Sequence, residues 1–221
     1  LGELSAGIVH EVRNPLASIK GAIEILEDEL TVDSPRREFV GLAKGEIDRL
    51  DRLVGEFLRF ARPTEPSKTP TDPNEIVDSI VGLIGNQAAS QSVAVIRDLQ
   101  NNIPLILVDA EQIKQVVLNL AINALQAMSQ SNGAEQTITF RTFKEDNNFV
   151  VEVTDTGSGI DPKNLSKIFD PFYTTKEAGA GTGLGLSISQ RIIRNHGGTL
   201  EVGMDGPNTC FLISLPSVGT R

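Results

Sequence analysis

Residues 10–16 of the sequence read His-Glu-Val-Arg-Asn-Pro-Leu and place three chemically capable side chains close together on a predicted helix. The neutral imidazole of His10 is a good nucleophile towards phosphorus, and the Glu11 carboxylate can accept the proton of the other ring nitrogen and orient the ring. Asn14 follows four residues later on the same helix face, where its amide could hold a water beside a group on His10. The alternative is an ordinary solvated histidine with polar neighbours.

The neighbours of His10 predict that its side chain is exposed. Ile8 and Val12 each lie two positions away, about 200° around the helix, so His10 points away from the apolar seam to which they belong. Pro15 removes a backbone hydrogen bond and predicts a bend just after His10, unless the helix simply tolerates the kink. Exposure is what a protein nucleophile needs if it is to meet a separate phosphate donor.

Two asparagines, Asn119 and Asn123, share one face of a predicted helix because they are four residues apart. Amide oxygens are hard donors, and Mg²⁺ accepts such a ligand together with nucleotide phosphates and several waters. The pair is therefore a candidate for binding a metal and a nucleotide. Capping or packing is the other interpretation of two asparagines at this spacing.

Residues 155–160, which read Asp-Thr-Gly-Ser-Gly-Ile, directly follow a predicted strand. The Asp155 carboxylate can accept a hydrogen bond from an exocyclic amine, and Gly157 and Gly159 allow the backbone to approach a flat ligand. A tight turn without any ligand is the alternative.

Residues 179–186 are rich in glycine and lead into a predicted helix at 187–195. Free backbone N–H groups and the helix dipole hold phosphates in such an arrangement. Lys176 could reach a phosphate from just upstream, while Phe172 and Tyr173 either anchor a mobile flap or belong to the core. The segment lacks the Gly-Lys-Ser/Thr ending of a P-loop and the strand and acid of a dinucleotide fingerprint.

Composition narrows the choice of partners and compartment. The net charge of -9 and the pI near 4.8 disfavour nucleic acid as a partner. The single cysteine, Cys210, cannot form an internal disulfide and fits a buried strand in a reducing compartment. No apolar stretch reaches the roughly 20 residues that cross a bilayer. We therefore expect a cytoplasmic fragment, with inner-membrane anchoring only through an upstream region that this sequence does not contain.

Two amphipathic helices must position His10. Apolar residues recur at three- and four-residue steps over residues 1–30 and again over 43–61, around a turn-prone segment at 31–35. Two helices alone can hardly bury both seams, so we predict a homodimer through a four-helix bundle. Three prolines in residues 62–70 end the second helix and predict a linker, with a domain boundary near residue 66.

Helices and strands alternate downstream. Capping sequences begin helices at Asp72 and Asp109. Strands are predicted at 93–99, 105–108, 136–144, 149–154, 199–204 and 210–215. The last four form two hairpins. The fold class is therefore α+β: a helical hairpin followed by an α/β sandwich with a mixed sheet.

In this order and spacing, the five segments resemble the H, N, G1, F and G2 boxes of sensor histidine kinases, and the resemblance covers essentially the whole chain. It implies a dimerisation and histidine phosphotransfer domain at residues 1–65 and a catalytic domain of the gyrase, Hsp90, kinase and MutL type, with the Bergerat ATP-binding fold, at residues 66–221. Three segments are similar to those of the nitrogen-regulation and metal-stress branch of these kinases: the sequence around His10, the Phe-Tyr-Thr-Thr-Lys flap and the short glycine-rich lid.

The resemblance implies a role for each matching residue. His10 would be the phosphoacceptor, Glu11 its acid or base partner, and Asn14 the phosphatase residue. Asn123 would bind Mg²⁺, and Asp155 would read adenine. The other nucleotide-binding residues implied are Asn119, Gly157, Gly159, Lys176, Gly181, Thr182, Gly183, Leu184, Gly185 and Thr209.

The implied activity is an ATP-dependent autokinase that phosphorylates His10 and passes the phosphoryl group to an aspartate in the receiver domain of a response regulator. ATP and Mg²⁺ are the implied cofactors, and phosphatase activity towards the regulator is also expected. One rival is an ATP hydrolase of the same superfamily, which would carry a water-activating glutamate where this chain has Asn119. The other is a scaffold or dedicated phosphatase, which would be expected to lack His10 or the lid glycines.

Overall fold

A computed structural model describes residues 2–31, 34–61, 65–129, 136–176, 181–205 and 208–217, without the side chains of residues 2–13, 29, 52, 56, 58–61, 204 and 205. The chain divides into two compact units. One contains residues 1–64 and 174–184, and the other contains residues 65–173 and 185–221. No helix in the described ranges is long and apolar enough to cross a membrane.

The first unit contains a helical hairpin made of α1 (Gly2–Glu29) and α2 (Arg36–Ala61). Two ion pairs join the helices, Lys20 Nζ to Asp48 Oδ1 at 2.7 Å and Lys44 Nζ to Glu27 Oε2 at 2.8 Å. Both pairs are partly exposed, so each contributes little stability and serves mainly to fix the register of the helices. The predicted helical hairpin is confirmed.

The second unit contains three helices, α3 (Pro73–Ser90), α4 (Ala110–Met128) and α5 (Gly185–Asn195), among its described residues. Its strands there are β1 (Thr69–Thr71), β2 (Ala94–Leu99), β3 (Ile106–Val108), β4 (Thr137–Glu145), β5 (Asn148–Asp155), β6 (Thr199–Asp205) and β7 (Asn208–Pro216). A short 3₁₀ turn at Pro162–Asn164 follows β5.

The main sheet has the strand order β2-β4-β5-β7-β6. The β2 and β4 strands are parallel, and every other neighbouring pair is antiparallel. The three helices pack against this sheet, and the residues between them form the apolar core. On β5 the buried positions Val151, Val153 and Asp155 alternate with half-buried ones, so Asp155 lies on the same face as the core valines. The predicted α/β sandwich with a mixed sheet is confirmed.

The predicted capping residues begin their helices as expected. Asp72 Oδ1 accepts a hydrogen bond from the Asn74 N–H at 2.9 Å at the beginning of α3. Asp109 Oδ1 accepts one from the Gln112 N–H at 3.2 Å at the beginning of α4. Each carboxylate satisfies a backbone donor that the first helical turn leaves without an intrahelical partner.

The predicted linker at residues 62–70 is wrong at its C-terminal end, which is part of the second unit. The β1 strand pairs antiparallel with β3. The Ser67 N–H donates to Asp109 Oδ2 at 3.0 Å, and Lys68 Nζ donates to the Asn195 carbonyl oxygen, also at 3.0 Å. A strand of three residues is too short to show alternation, and Pro70 is tolerated because β1 is an edge strand. Residues 62–64 lie outside the described ranges.

A buried histidine joins the end of α5 to the beginning of α4. His196 is 3% exposed, and its Nε2 accepts a hydrogen bond from the Asp109 N–H at 3.0 Å. Its Nδ1 lies 2.8 Å from the Ile192 carbonyl oxygen. Because Nε2 accepts, the neutral ring carries its proton on Nδ1 and donates it to Ile192. Both ring nitrogens of His196 are therefore engaged in structural hydrogen bonds.

Candidate functional site

The second unit contains most of the residues predicted to bind a nucleotide, on α4, β5, α5 and β7 and in the loop after β5. Asn119 and Asn123 are half-buried on α4, one turn apart. Asp155 ends β5, and Gly185 begins α5. Residues that are far apart in sequence thus line one region because the sheet and the two helices pack on each other.

Asp155 is a buried carboxyl group at the end of a strand. Only 4% of the residue is exposed, and burial raises the pKa of its carboxyl from 3.8 to about 6, although a hydrogen bond from the Gly157 N–H at 2.9 Å acts in the opposite direction. At neutral pH the group is ionised and can only accept hydrogen bonds. It is therefore suited to receive an N–H donor from a bound molecule.

Gly157 is packed too tightly to be any other residue. A Cβ at this position would lie 2.7 Å from Asp155 Oδ1 and 2.8 Å from the Ala127 Cβ on α4. Both contacts are shorter than van der Waals distance, so a side chain would push α4 away from the end of β5. Gly159 has a φ of 74°, which lies in the left-handed region that glycine adopts without strain. The two glycines thus keep this loop close to the buried carboxyl group.

Thr209 and Thr156 fix the surroundings of Asp155. Thr209 is buried on β7 directly opposite Asp155 in the antiparallel register, so the two side chains lie on the same face of the sheet. Thr156 was missed by the sequence analysis. Its Oγ1 accepts a hydrogen bond from the Thr137 N–H at 2.9 Å, and its own N–H donates to the Thr137 carbonyl at 3.2 Å. Its position between Asp155 and Gly157 was the available signal.

Asn119 spans the gap between α4 and α5. Its Nδ2 donates to the Ser189 Oγ on α5 at 3.1 Å, and its Oδ1 would lie 2.5 Å from a Cβ on Gly185. A side chain at the first residue of α5 would therefore force the Asn119 carboxamide to move. Ser189 was also missed, because a lone serine inside an amphipathic helix carries no sequence signal.

Residues 181–184 of the glycine-rich segment belong, with Lys176, to the first unit. The Leu184 N–H donates to Thr182 Oγ1 at 3.2 Å, and Gly183 has a φ of 69°. A Cβ on Gly181 would lie 3.1 Å from Lys176 Cδ, so Gly181 and Lys176 are close neighbours. Burial lowers the pKa of the Lys176 ammonium. Residues 177–180 lie outside the described ranges.

Two aromatic residues precede this segment. Phe172 is 59% exposed, so the alternative of a core aromatic is wrong for it. Tyr173 is half-buried, and its N–H donates to the Asp170 carbonyl at 3.2 Å.

The segment around His10 is helical. The backbone of His10 and Glu11 lies inside α1, while their side chains lie outside the description. Asn14 is exposed, and its carbonyl oxygen accepts a hydrogen bond from Ser18 Oγ at 3.1 Å. Pro15 lies within the same uninterrupted helix.

The chemistry of the second unit fits a nucleotide bound with a hard cation. The Asp155 carboxylate offers an acceptor, and Gly157 and Gly185 stand where a Cβ would fill the space. The amide oxygens of Asn119 and Asn123 are the type of donor that Mg²⁺ prefers. The described residues contain no cluster of three His, Cys, Asp or Glu side chains that could hold a metal. A cation would therefore depend on an amide ligand and on the phosphates of the nucleotide.

Two protein-family models match the chain. The model for the histidine kinase A phospho-acceptor domain matches residues 1–66, and the model for histidine kinase-, DNA gyrase B- and HSP90-like ATPases matches residues 108–219. Between them they take in both helices of the hairpin and most of the sheet with α4 and α5.

Curated relatives match nearly the whole chain. It is 38% identical over 98% of its length to the signal transduction histidine-protein kinase AtoS of Escherichia coli, of which it covers 35%. It is 34% identical over its full length to the sensor histidine kinase ZraS of Escherichia coli, of which it covers 46%. The chain thus spans about a third to a half of the length of these relatives.

Solved structures share the architecture. Full-length ShkA in complex with AMPPNP matches all of the chain with a TM-score of 0.84 and 26% identity, and the match covers 47% of ShkA. The histidine kinase ThkA, in complex with the response regulator protein TrrA, matches 99% of the chain with a TM-score of 0.71 and 26% identity, and the match covers 62% of ThkA.

Proposed function

The chain belongs to the sensor histidine kinase family, and from that membership we propose that it transfers the γ-phosphoryl group of ATP to His10 and then to an aspartate of a response regulator receiver domain. The whole sequence contains two histidines. His196 is buried, and both of its ring nitrogens are engaged with Asp109 and Ile192, so it is unsuited to attack a phosphate. This observation supports His10 as the acceptor.

The first step proposed is an in-line attack on ATP. A ring nitrogen of His10 forms a bond to the γ-phosphorus, and the bond from that phosphorus to the β,γ-bridging oxygen breaks, so that ADP leaves. Glu11 accepts the proton of the other ring nitrogen and limits the positive charge on the imidazole. The phosphoryl group then passes to the carboxylate of the receiver aspartate, which regenerates His10.

The nucleotide is proposed to bind in the second unit. Asp155 accepts the exocyclic amine of adenine, with Thr209 beside it and with Gly157 and Gly159 shaping the pocket. When bound, Mg²⁺ neutralises charge on the phosphates, and Asn123 is its proposed amide ligand. Within this unit the phosphates are proposed to bind Asn119 and Gly185. The family resemblance also implies a phosphate-binding role for residues of the first unit, which are Lys176, Gly181, Thr182, Gly183 and Leu184. The match to a structure containing AMPPNP supports an ATP-like ligand.

Residues 1–65 are proposed as the dimerisation and phosphotransfer domain, and residues 66–221 as the ATP-binding domain. The hairpin leaves large apolar side chains exposed in the single chain, including Ile19, Leu26, Leu50 and Phe57. A second copy that adds two more helices would cover these residues in a four-helix bundle. The match to ThkA in complex with a response regulator supports a receiver domain as a further partner.

Two further proposals concern regulation. Asn14, one turn from His10 and exposed, is proposed to hold the water that removes phosphate from the regulator. The similarity to ZraS is consistent with the nitrogen-regulation and metal-stress branch.

Phosphorylation with radiolabelled ATP tests the assignment of His10. We expect a label that is lost in acid and stable in alkali, and we expect no label in His10→Ala, whose affinity for an ATP analogue stays within twofold of the wild type. The matched control is Asn14→Ala, which should still incorporate label but should slow dephosphorylation of the regulator. An acid-stable label, or label that persists in His10→Ala, contradicts the assignment.

A further inference from the structure

Ser189 is a buried hydroxyl group on an apolar helix face. It is 2% exposed and lies on α5 among the buried residues Ile188, Ile192 and Ile193. Burying a hydroxyl without a hydrogen bond is unfavourable, so a serine at this position has to be satisfied from a neighbouring element. The partner is Asn119 on α4, whose Nδ2 donates to Ser189 Oγ at 3.1 Å.

The hydrogen bond also determines where the other end of the Asn119 carboxamide lies. With Nδ2 directed at Ser189, Oδ1 points towards the first residue of α5, where it would lie 2.5 Å from a Cβ on Gly185. The amide is thus held between two points on α5, one at its first residue and one a turn later. It acts as a spacer of fixed length between α4 and the beginning of α5.

The beginning of α5 is where phosphates are expected to bind. Gly185 directly follows the glycine-rich segment, and the N–H groups of the first helical turn lack intrahelical acceptors. Asn123 lies on α4, one turn from Asn119. The distance between Asn123 and the N–H groups of the first turn of α5 decides whether one triphosphate can contact both helices. Holding Asn119 in place therefore holds the two halves of a phosphate site at the required spacing.

We propose that Ser189 is a positioning residue for nucleotide binding, which acts by fixing the Asn119 carboxamide between α4 and Gly185. The proposal rests on the proposed function, because it concerns the affinity of the same site for ATP. Ser189 does not contact the reacting atoms. Its effect passes entirely through Asn119, and this makes the two residues energetically coupled.

A double-mutant cycle tests this coupling. The dissociation constant of AMPPNP with Mg²⁺ is measured by calorimetry for the wild type, Ser189→Ala, Asn119→Ala and the double variant. We expect Ser189→Ala to weaken binding about fivefold, as the loss of one hydrogen bond predicts. In the Asn119→Ala background the same change should have less than a twofold effect.

A helical serine outside the site serves as the matched control. Ser79 is half-buried on α3, and Ser79→Ala should bind AMPPNP within twofold of the wild type. Ser189→Cys keeps the size of the side chain but offers a weak acceptor, so it should bind nearly as weakly as Ser189→Ala. Melting temperatures measured without nucleotide show which variants fold. If Ser189→Ala does not fold, the affinity of Ser189→Cys provides the test.

Each outcome decides the proposal. If the loss of AMPPNP affinity in the double variant equals the product of the fold losses in the two single variants, Ser189 acts independently of Asn119. That result would overturn the proposal. Wild-type affinity in the Ser189 variants would overturn it as well. A wild-type protein that binds no AMPPNP would instead overturn the proposed function, so the two failures are distinguishable.

Discussion

At the scale of single residues, the buried carboxyl group of Asp155 in the candidate ligand site destabilises the second unit. Burial raises the pKa of Asp155 to about 6 because the anion loses most of its hydration. If no ligand bound at this position, an apolar side chain there would make the folded protein more stable. A bound molecule that donates a hydrogen bond to the carboxylate offsets this loss of hydration. The adenine amine is the proposed donor.

The pKa of Asp155 predicts a pH dependence of nucleotide affinity. The ionised carboxyl accepts the adenine amine in a charge-assisted hydrogen bond, which is stronger than the one that the neutral acid can accept, so affinity should fall as the pH decreases through about 6. The dissociation constant of AMPPNP, measured by calorimetric titration between about pH 5 and 8, tests this dependence, because the range includes the pKa of Asp155. Asp155→Asn should bind weakly with little change over that range. A wild-type affinity that is flat with pH would contradict the assignment of Asp155 as the acceptor.

The same group predicts a stability effect without nucleotide. The folded pKa of about 6 lies above the reference value of 3.8, so the folded state binds its proton more tightly than the unfolded state does. The contribution of Asp155 to stability is therefore complete below about 3.8 and is lost as pH rises through about 6. Asp155→Asn should remove this part of the pH dependence of unfolding by denaturant. An unchanged profile in the variant would show that other groups cause it.

Gly157 allows a steric prediction. An added Cβ would meet Asp155 Oδ1 at 2.7 Å and the Ala127 Cβ at 2.8 Å, so Gly157→Ala should lower nucleotide affinity by at least about tenfold by displacing the loop. Gly82 on α3 is the matched control, because nothing lies within 4 Å of a Cβ there. Gly82→Ala should keep nucleotide affinity and add about 0.5–1 kcal/mol of stability. Equal affinity in both variants would contradict close packing of the loop.

At the scale of secondary structure, Asp109 connects several elements. Its carboxylate caps α4 and accepts the Ser67 N–H just before β1, and its backbone N–H donates to His196 after α5. Lys68 adds a contact to the carbonyl of Asn195 at the end of α5. The segment that enters the second unit is thereby fixed to the two helices that carry the candidate nucleotide residues.

Asp109 should therefore be important for stability. Asp109→Ala removes the helix cap and the acceptor for Ser67, and we expect it to lower the free energy of unfolding by about 1–2 kcal/mol. Asp109→Asn retains an acceptor oxygen and should lose less than half as much. Denaturant unfolding of both variants measures the difference. Equal losses would indicate that the charge on Asp109, and not its hydrogen bonds, is what stabilises α4.

At the scale of the whole molecule, the helical hairpin is incomplete as a single copy. Leu50 is 38% exposed and Phe57 is 45% exposed on α2, although both lie on the apolar seam seen in the sequence. Intrachain packing between α1 and α2 buries Ile47 to 7% exposure, so the seam is covered only in part. The remaining apolar surface is what a second hairpin would bury.

Charge at the seam should disrupt the proposed dimer. A glutamate in a four-helix bundle core is buried without a partner, so Leu50→Glu and Phe57→Glu should each convert a dimer into a monomer in light scattering at micromolar concentration. Leu83 on α3 is the control, because it is 65% exposed but lies outside the hairpin, and Leu83→Glu should remain a dimer. A monomeric wild type would contradict the proposed bundle.

The sequence by itself determined the helices, every described strand except β1, their order along the chain and the type of fold. Amphipathic periods, capping aspartates and hairpin turns are local patterns, and local patterns survive in the linear chain. The motifs around His10, Asn123, Asp155 and Gly183 likewise consist of short runs, so the family resemblance could be read from them directly.

Only the tertiary structure decided which distant residues meet. The hydrogen bond from Asn119 to Ser189 joins residues 70 positions apart, and the hydrogen bond from Asp109 to His196 joins residues 87 positions apart. The β1 strand escaped prediction because its three residues gain their pairing from β3, not from any pattern of their own. The burial that raises the pKa of Asp155 likewise comes from the packing of the sheet against its helices. Such contacts depend on chain topology, and no local pattern encodes them.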